Sequence, residues 1–104
     1  MNRRFQKRPA DAIIVAVDFG RVLNPGETVV ASNARGSLGV AAADGAGANV
    51  SGTLLEGAPW IVAGTRVAFW LLAGMPGPFY EIVVTAPTSD GELIADRVAL
   101  EVMA

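Results

Sequence analysis

Between residues 66 and 91 the chain reads RVAFWLLAGMPGPFYEIVVTAPTSDG, two apolar runs separated by Gly74, Pro76, Gly77 and Pro78. Val67, Phe69 and Leu71 fall on one side of the first run, and Tyr80, Ile82, Val84 and Ala86 on one side of the second. A period of two is the spacing of a strand, and a helix cannot build a single face from it. The stretch is therefore expected to form a β-hairpin. Thr88-Ser89-Asp90-Gly91 then turns the chain into a last strand over residues 92–103, with Val98, Leu100 and Val102 on one face and Arg97, Ala99 and Glu101 on the other.

The remainder follows the same rhythm. Ile13, Val15, Val17 and Phe19 alternate with smaller or polar residues in a first strand over 12–19, and Ile14 on its second face predicts that part of this strand is covered on both sides. Asn24-Pro25-Gly26-Glu27 carries the proline and glycine that a type II turn needs at its two central positions. Short strands are expected at 28–32, 38–42 and 50–55, with a small-residue loop at 44–49. Glu56-Gly57-Ala58-Pro59 breaks the chain before Trp60. About seven short antiparallel strands with turns roughly every ten residues, and no amphipathic helix, predict an all-β, immunoglobulin-like sandwich. We expect one domain over residues 10–104, preceded by an extended basic N-terminal arm over residues 1–9.

Composition narrows the chemistry. The 104 residues include no cysteine and no histidine, which removes disulfides, thiolate nucleophiles, the commonest general base and the commonest metal ligand. No catalytic, cofactor or metal site is expected. Asp90 and Glu92 could be read as paired carboxylates, but Asp90-Gly91 is first a turn. Asp44 has no second carboxylate beside it for calcium, and Gly45-Ala46-Gly47 has no lysine for a phosphate. Ser32, Ser37, Ser51 and Ser89 have no base in sequence to activate them. The chain reads as a non-enzyme.

Two features point to partners instead. Hydrophobic residues make up 52% of the chain against 17% charged, an excess that argues for surface covered by another subunit. Trp60, Trp70, Leu72, Met75 and Phe79 cluster in sequence and are the candidate apolar contact residues, with Trp70 on the side of its strand opposite Val67. Charge is also divided. Arg3, Arg4, Lys7 and Arg8 supply four of the eight basic residues, and the rest of the chain carries ten acids against four bases. With Phe5 among them, these residues are the second candidate contact set, an arm suited to an acidic protein groove. A sequence pI of 4.9 and a single aromatic in the arm argue against nucleic acid.

Residues 58–77 contain one charge and are long enough to imitate a membrane span. Arg66 near their middle would cost about 2.5 to 3.5 kcal/mol at a bilayer centre, and the alternation from Val67 to Leu71 is that of a strand. No membrane association is expected. The apolar run after the arm is too short, and too closely bracketed by Asp11 and Asp18, to act as a targeting signal.

Val17-Asp18-Phe19, then Leu23, then Gly26-Glu27-Thr28-Val29 form one ordered set. Trp70-Leu71, Gly74, Gly77, Tyr80, Val83, Thr85, Thr88-Ser89-Asp90-Gly91 and Leu100-Glu101-Val102 form another. Together they resemble small phage virion proteins of immunoglobulin-like fold, the fiber-tail adaptor and related tail and head accessory proteins. Val15 and Phe19 stand where that family commonly has an aromatic and a tryptophan, residues 33–62 match nothing in it, and the basic arm is not part of it. The resemblance implies a structural role in the virion, in several symmetry-related copies, contacting tail, connector or fiber proteins after assembly in the host cytoplasm. A capsid decoration (cement) protein is the alternative within virion biology, and a carbohydrate-binding or adhesin module the alternative outside it.

Overall fold

In a computed structural model the chain is described over residues 2–7, 12–44, 46–72 and 79–102, with residues 2–7 described by their backbone and Thr53, Phe79 and Val102 without their side chains. The two apolar runs of the expected hairpin form β7 (Arg66–Leu71) and β8 (Phe79–Pro87), but these strands lie in different sheets and do not pair, so the hairpin expectation is corrected. β7 sits between β2 (Ile13–Asp18) and β6 (Leu55–Val62) in a three-stranded antiparallel sheet. β8 sits between β9 (Leu93–Val102) and β5 (Gly39–Ala43), and β1 (Asn2–Lys7) completes that sheet in the order β1-β9-β8-β5. The connection after Leu71 thus crosses from one layer to the other. Its glycines and prolines, 74–78, lie outside the described residues.

The two sheets are the layers of an immunoglobulin-like sandwich. Labelling β2, β5, β6, β7, β8 and β9 as strands B to G gives the sheet orders B-E-D and C-F-G of that fold. The alternation seen in sequence supplies the core between them. Val15, Val17, Val67, Phe69 and Leu71 from one sheet face Tyr80, Ile82, Val84, Ala86, Val98 and Leu100 from the other, all buried. Each fully buried aliphatic side chain contributes about 1.5 to 3 kcal/mol relative to exposure.

Four further expectations are corrected. Residues 28–32 do not form a strand. Val29 makes only an isolated bridge to Thr88, its N–H donates to the Gly64 carbonyl (2.8 Å), and the two-residue strands β3 (Ser32–Asn33) and β4 (Gly36–Ser37) form a separate hairpin. Residues 50–55 are not a strand either, because Ser51–Leu54 form one helical turn, α1, that drives Leu54 into the core. Glu56-Gly57-Ala58-Pro59 does not break the strand: β6 runs through it by a bulge. Glu56 pairs with Trp70 and Trp60 with Ala68, so four steps on β6 match two on β7, and Gly57 takes the positive φ (69°) this requires. Finally, Ile14 is not covered on its outer side. It is 53% exposed.

The N-terminal segment is also more than an extension. Asn2–Lys7 pair in parallel with Arg97–Val102, in register from Asn2 opposite Arg97 to Lys7 opposite Val102. No apolar alternation announces this strand, since an edge strand made mostly of polar residues has none to show.

Candidate partner-binding face

The outer face of the β2-β7-β6 sheet is built by register. Ile14 lies opposite Trp70 and Trp70 opposite Glu56 in one row, and Ala16, Ala68 and Trp60 form the next. Asp18, Arg66 and Val62 form the third row. The bulge in β6 inserts an even number of residues, so Glu56 and Trp60 both keep their side chains on this face.

Trp60 and Trp70 are each 37% exposed, and Ile14 and Val62 are exposed beside them. Ala68, at the centre of the nine positions, is only 1% exposed although it faces outward. Its small side chain lies between Trp60 across the ladder and Trp70 two residues along, and such bulk on both sides shuts water from it. The two indoles, with Ala68 between them, therefore form an apolar platform at the centre of this face. At the far row Arg66 Nε lies 3.8 Å from Asp18 Oδ2, an exposed ion pair that borders the platform with charge. An aromatic centre with a charged rim is the composition of a protein-protein contact.

Of the predicted apolar set, the structure brings Trp60 and Trp70 together. Leu72 is half-buried past the end of β7, its N–H donating to the Leu54 carbonyl (2.7 Å). Phe79 begins β8 in the opposite sheet, paired with Glu101. Met75 lies outside the described residues. Ile14 and Val62, which sequence reasoning did not nominate, join the face. The signal for them was available: an aliphatic residue at the polar parity of an otherwise half-buried strand. In the arm set, Arg3, Arg4, Phe5 and Lys7 occupy β1 beside β9, and Arg8 lies outside the described residues.

Many of the polar side chains away from this face are engaged in holding loops. Glu27 is 5% exposed, and its Oε1 accepts the Asn24 N–H (2.8 Å). That bond and the Thr88 hydroxyl hold its carboxyl below the usual carboxylate range, against the opposing effect of burial. Asn33 Nδ2 donates to the Thr88 and Glu92 carbonyls (3.0 and 2.8 Å), and Ser89 Oγ accepts the Thr28 N–H (2.9 Å). Asp90 and Glu92 flank Gly91 (φ 88°) in the tight turn that joins β8 to β9. Asp44 Oδ1 accepts the Ala46 and Ala48 N–H groups (both 2.9 Å), and Ser51 Oγ accepts the Ala42 N–H (2.9 Å). Among the described residues no three His, Cys, Asp or Glu side chains come together as a metal site. No helix among them is long and apolar enough to cross a membrane.

A family model described as Podophage GP4 fiber-tail adaptor protein gp77 matches residues 7–101. No curated protein matches the chain.

Proposed function

The chain belongs to the podophage GP4 fiber-tail adaptor family, and from that premise we propose that it attaches tail fibers to the tail or the head-tail connector, using the Trp60-Trp70 face as its principal contact. The family assignment over residues 7–101 carries this reading and gives the chain a structural role as a component of the phage particle, bound to other virion proteins. The fold supplies a rigid support. Trp70 stands on β7, whose inner face is buried in the core, and Trp60 on β6, whose Leu55 and Ile61 pack partly buried against it, so the backbone under both indoles has little conformational entropy left to lose when a partner covers them. Several copies around a symmetric tail would let individually modest contacts act together. The basic residues Arg3, Arg4, Lys7 and Arg8 add charge at a second place, suited to an acidic neighbour.

Imaging of intact particles tests the reading. Density for this domain at the junction of fiber and tail, in repeated copies, with Trp60 and Trp70 against a neighbouring protein, is the expected result. Density spread over the capsid lattice would replace the adaptor role by decoration. Absence from particles together with glycan binding by the isolated domain would replace it by a carbohydrate-binding module.

A further inference from the structure

The sandwich has four strand edges, and they are not alike. An open edge is a row of backbone N–H and C=O groups ready to pair, which native proteins blunt with charge, bulges, proline or a covering segment. The edge of β5 is covered: the Val50 N–H donates to the Ala42 carbonyl (2.9 Å) and Ser51 Oγ accepts the Ala42 N–H (2.9 Å). The edge of β6 carries the bulge and Pro59. The edge of β1 carries three cationic residues in six. The edge of β2 carries one charge, Asp18 at its very end, and over Ile13–Val17 has none of these devices. It runs through six consecutive pairs with β7 with no bulge, proline or glycine, and among the described residues only β7 pairs with it.

The phase of the ladder tells which groups that edge presents. The Phe19 N–H donates to the Thr65 carbonyl (2.9 Å), one step beyond the Asp18–Arg66 pair, so the amides of 13, 15 and 17 point to β7. Those of Ile14 and Ala16 point to the open side. Both residues are exposed, and Ile14 borders the indole platform.

We infer that a second copy of this chain fills this edge, its β1 pairing antiparallel with β2 while remaining on its own β9. The placement of the strands makes the contact reciprocal. Only residues 8–12 connect β1 to β2, whereas β5 and β6 touch each other on the other side, so β1 and β2 share one lateral side of the sandwich. β2 runs opposite to β1. Asp18 and Phe19 at the end of β2 share a cavity of about 60 Å³ with Ala95 and Asp96 at the start of β9, and β9 is parallel to β1. A two-fold axis along the strands then sets each β1 antiparallel against the other copy's β2, closing both open edges in one dimer.

Charge selects this pairing over the alternative. Residues 1–8 carry four positive charges and no negative one, whereas residues 9–104 carry ten acids against four bases. Joining β2 to β2 would bring the two basic β1 strands side by side, and like charges on facing strands repel. Joining β1 to β2 sets a basic strand against an acidic body. The dimer does not depend on which virion component the adaptor joins, and its failure leaves the adaptor reading standing.

The test is the self-association of the full chain, measured by sedimentation equilibrium. A dimer that weakens with added salt is expected. Ala16→Pro removes an edge amide that β7 does not use, so the domain should keep its fold by circular dichroism while dimer affinity falls about 10- to 100-fold. Deletion of residues 1–8 should do the same from the other strand. Because the chain lacks cysteine, a mixture of Arg4→Cys and Ala16→Cys chains under mild oxidation should give a mixed disulfide in preference to either homodimer. A monomer at all concentrations, a dimer indifferent to both edge changes, or preferential homodimers of one cysteine variant would each overturn the inference.

Discussion

The two outer faces of this sandwich have the same support and opposite surfaces. On the β8–β9 side the outward residues include Glu81 and Arg97, 3.4 Å apart, with Val83 opposite Arg97, Thr85, Ala95 and Ala99 around them and the exposed Leu93 at the end of the row. On the β2-β7-β6 side the corresponding positions hold Ile14, Trp70, Trp60 and Val62. Both layers contribute inner faces to one core, and the outward residues are not part of it, so folding does not require the difference. Each face carries an exposed ion pair, Asp18–Arg66 on one and Glu81–Arg97 on the other, so what separates them is the pair of part-exposed indoles, and the proposed contact rests on that difference.

Substitutions can break or sharpen this contrast. The largest stability effect lies inside, where the faces do not differ: Ile82→Ala, at a fully buried position, should cost about 2 to 5 kcal/mol in urea unfolding. The paired change Trp60→Ala and Trp70→Ala should cost less, about 1 to 2 kcal/mol, because each indole is already partly in water. Its effect on incorporation into particles should nonetheless exceed that of Ile82→Ala at a temperature where both variants are folded. Equal incorporation of the double variant and the native chain would remove the face from the contact.

A smaller effect tests the loop network where the layers meet. The folded-state pKa of Glu27 lies below its ordinary value of 4.5. Its stabilisation is therefore complete above that value and is lost as pH falls through the folded pKa. Glu27→Gln should lower the unfolding midpoint at pH 7, and the gap to the native chain should close in melts taken towards pH 3. At the β6–β7 turn, Ala63 takes a left-handed φ of 55° beside Gly64. Ala63→Asn, which suits that turn, should raise stability by about 0.5 to 1 kcal/mol in urea unfolding without altering the platform. The smallest expected effect is on the polar face, where Arg97→Ala removes the Glu81 ion pair and should change stability by about 0.5 kcal/mol or less in the same assay.

The inner faces were legible in sequence because burial on one side imposes period two, and Val67 to Leu71, Tyr80 to Ala86 and Val98 to Leu100 all obey it. Trp70 was legible as outward for the same reason. What escaped was governed by backbone bonds that carry no side-chain period. The β6 bulge let Gly57 and Pro59, ordinary strand breakers, sit inside a strand. Around Val29, single backbone hydrogen bonds, from Val29 to the Gly64 carbonyl, from Val30 to the Pro87 carbonyl and from Ser89 to the Thr28 carbonyl, took the place of a ladder, and α1 formed where only four residues were needed to turn Leu54 inward. β1 was unreadable as a strand because a charged edge shows no hydrophobic pattern. Partner contacts remain the least legible feature. A sequence shows which residues could be spared from the core, and only the register shows that Ile14, Trp60 and Trp70 are neighbours.

The placement of both tryptophans on one outer surface, with none in the core, gives the molecule an optical property. Its near-ultraviolet emission comes chiefly from that platform. Fluorescence here follows the hydration of an outer face more directly than the melting of an interior, so the chain carries its own gauge of whether that face is wet or covered.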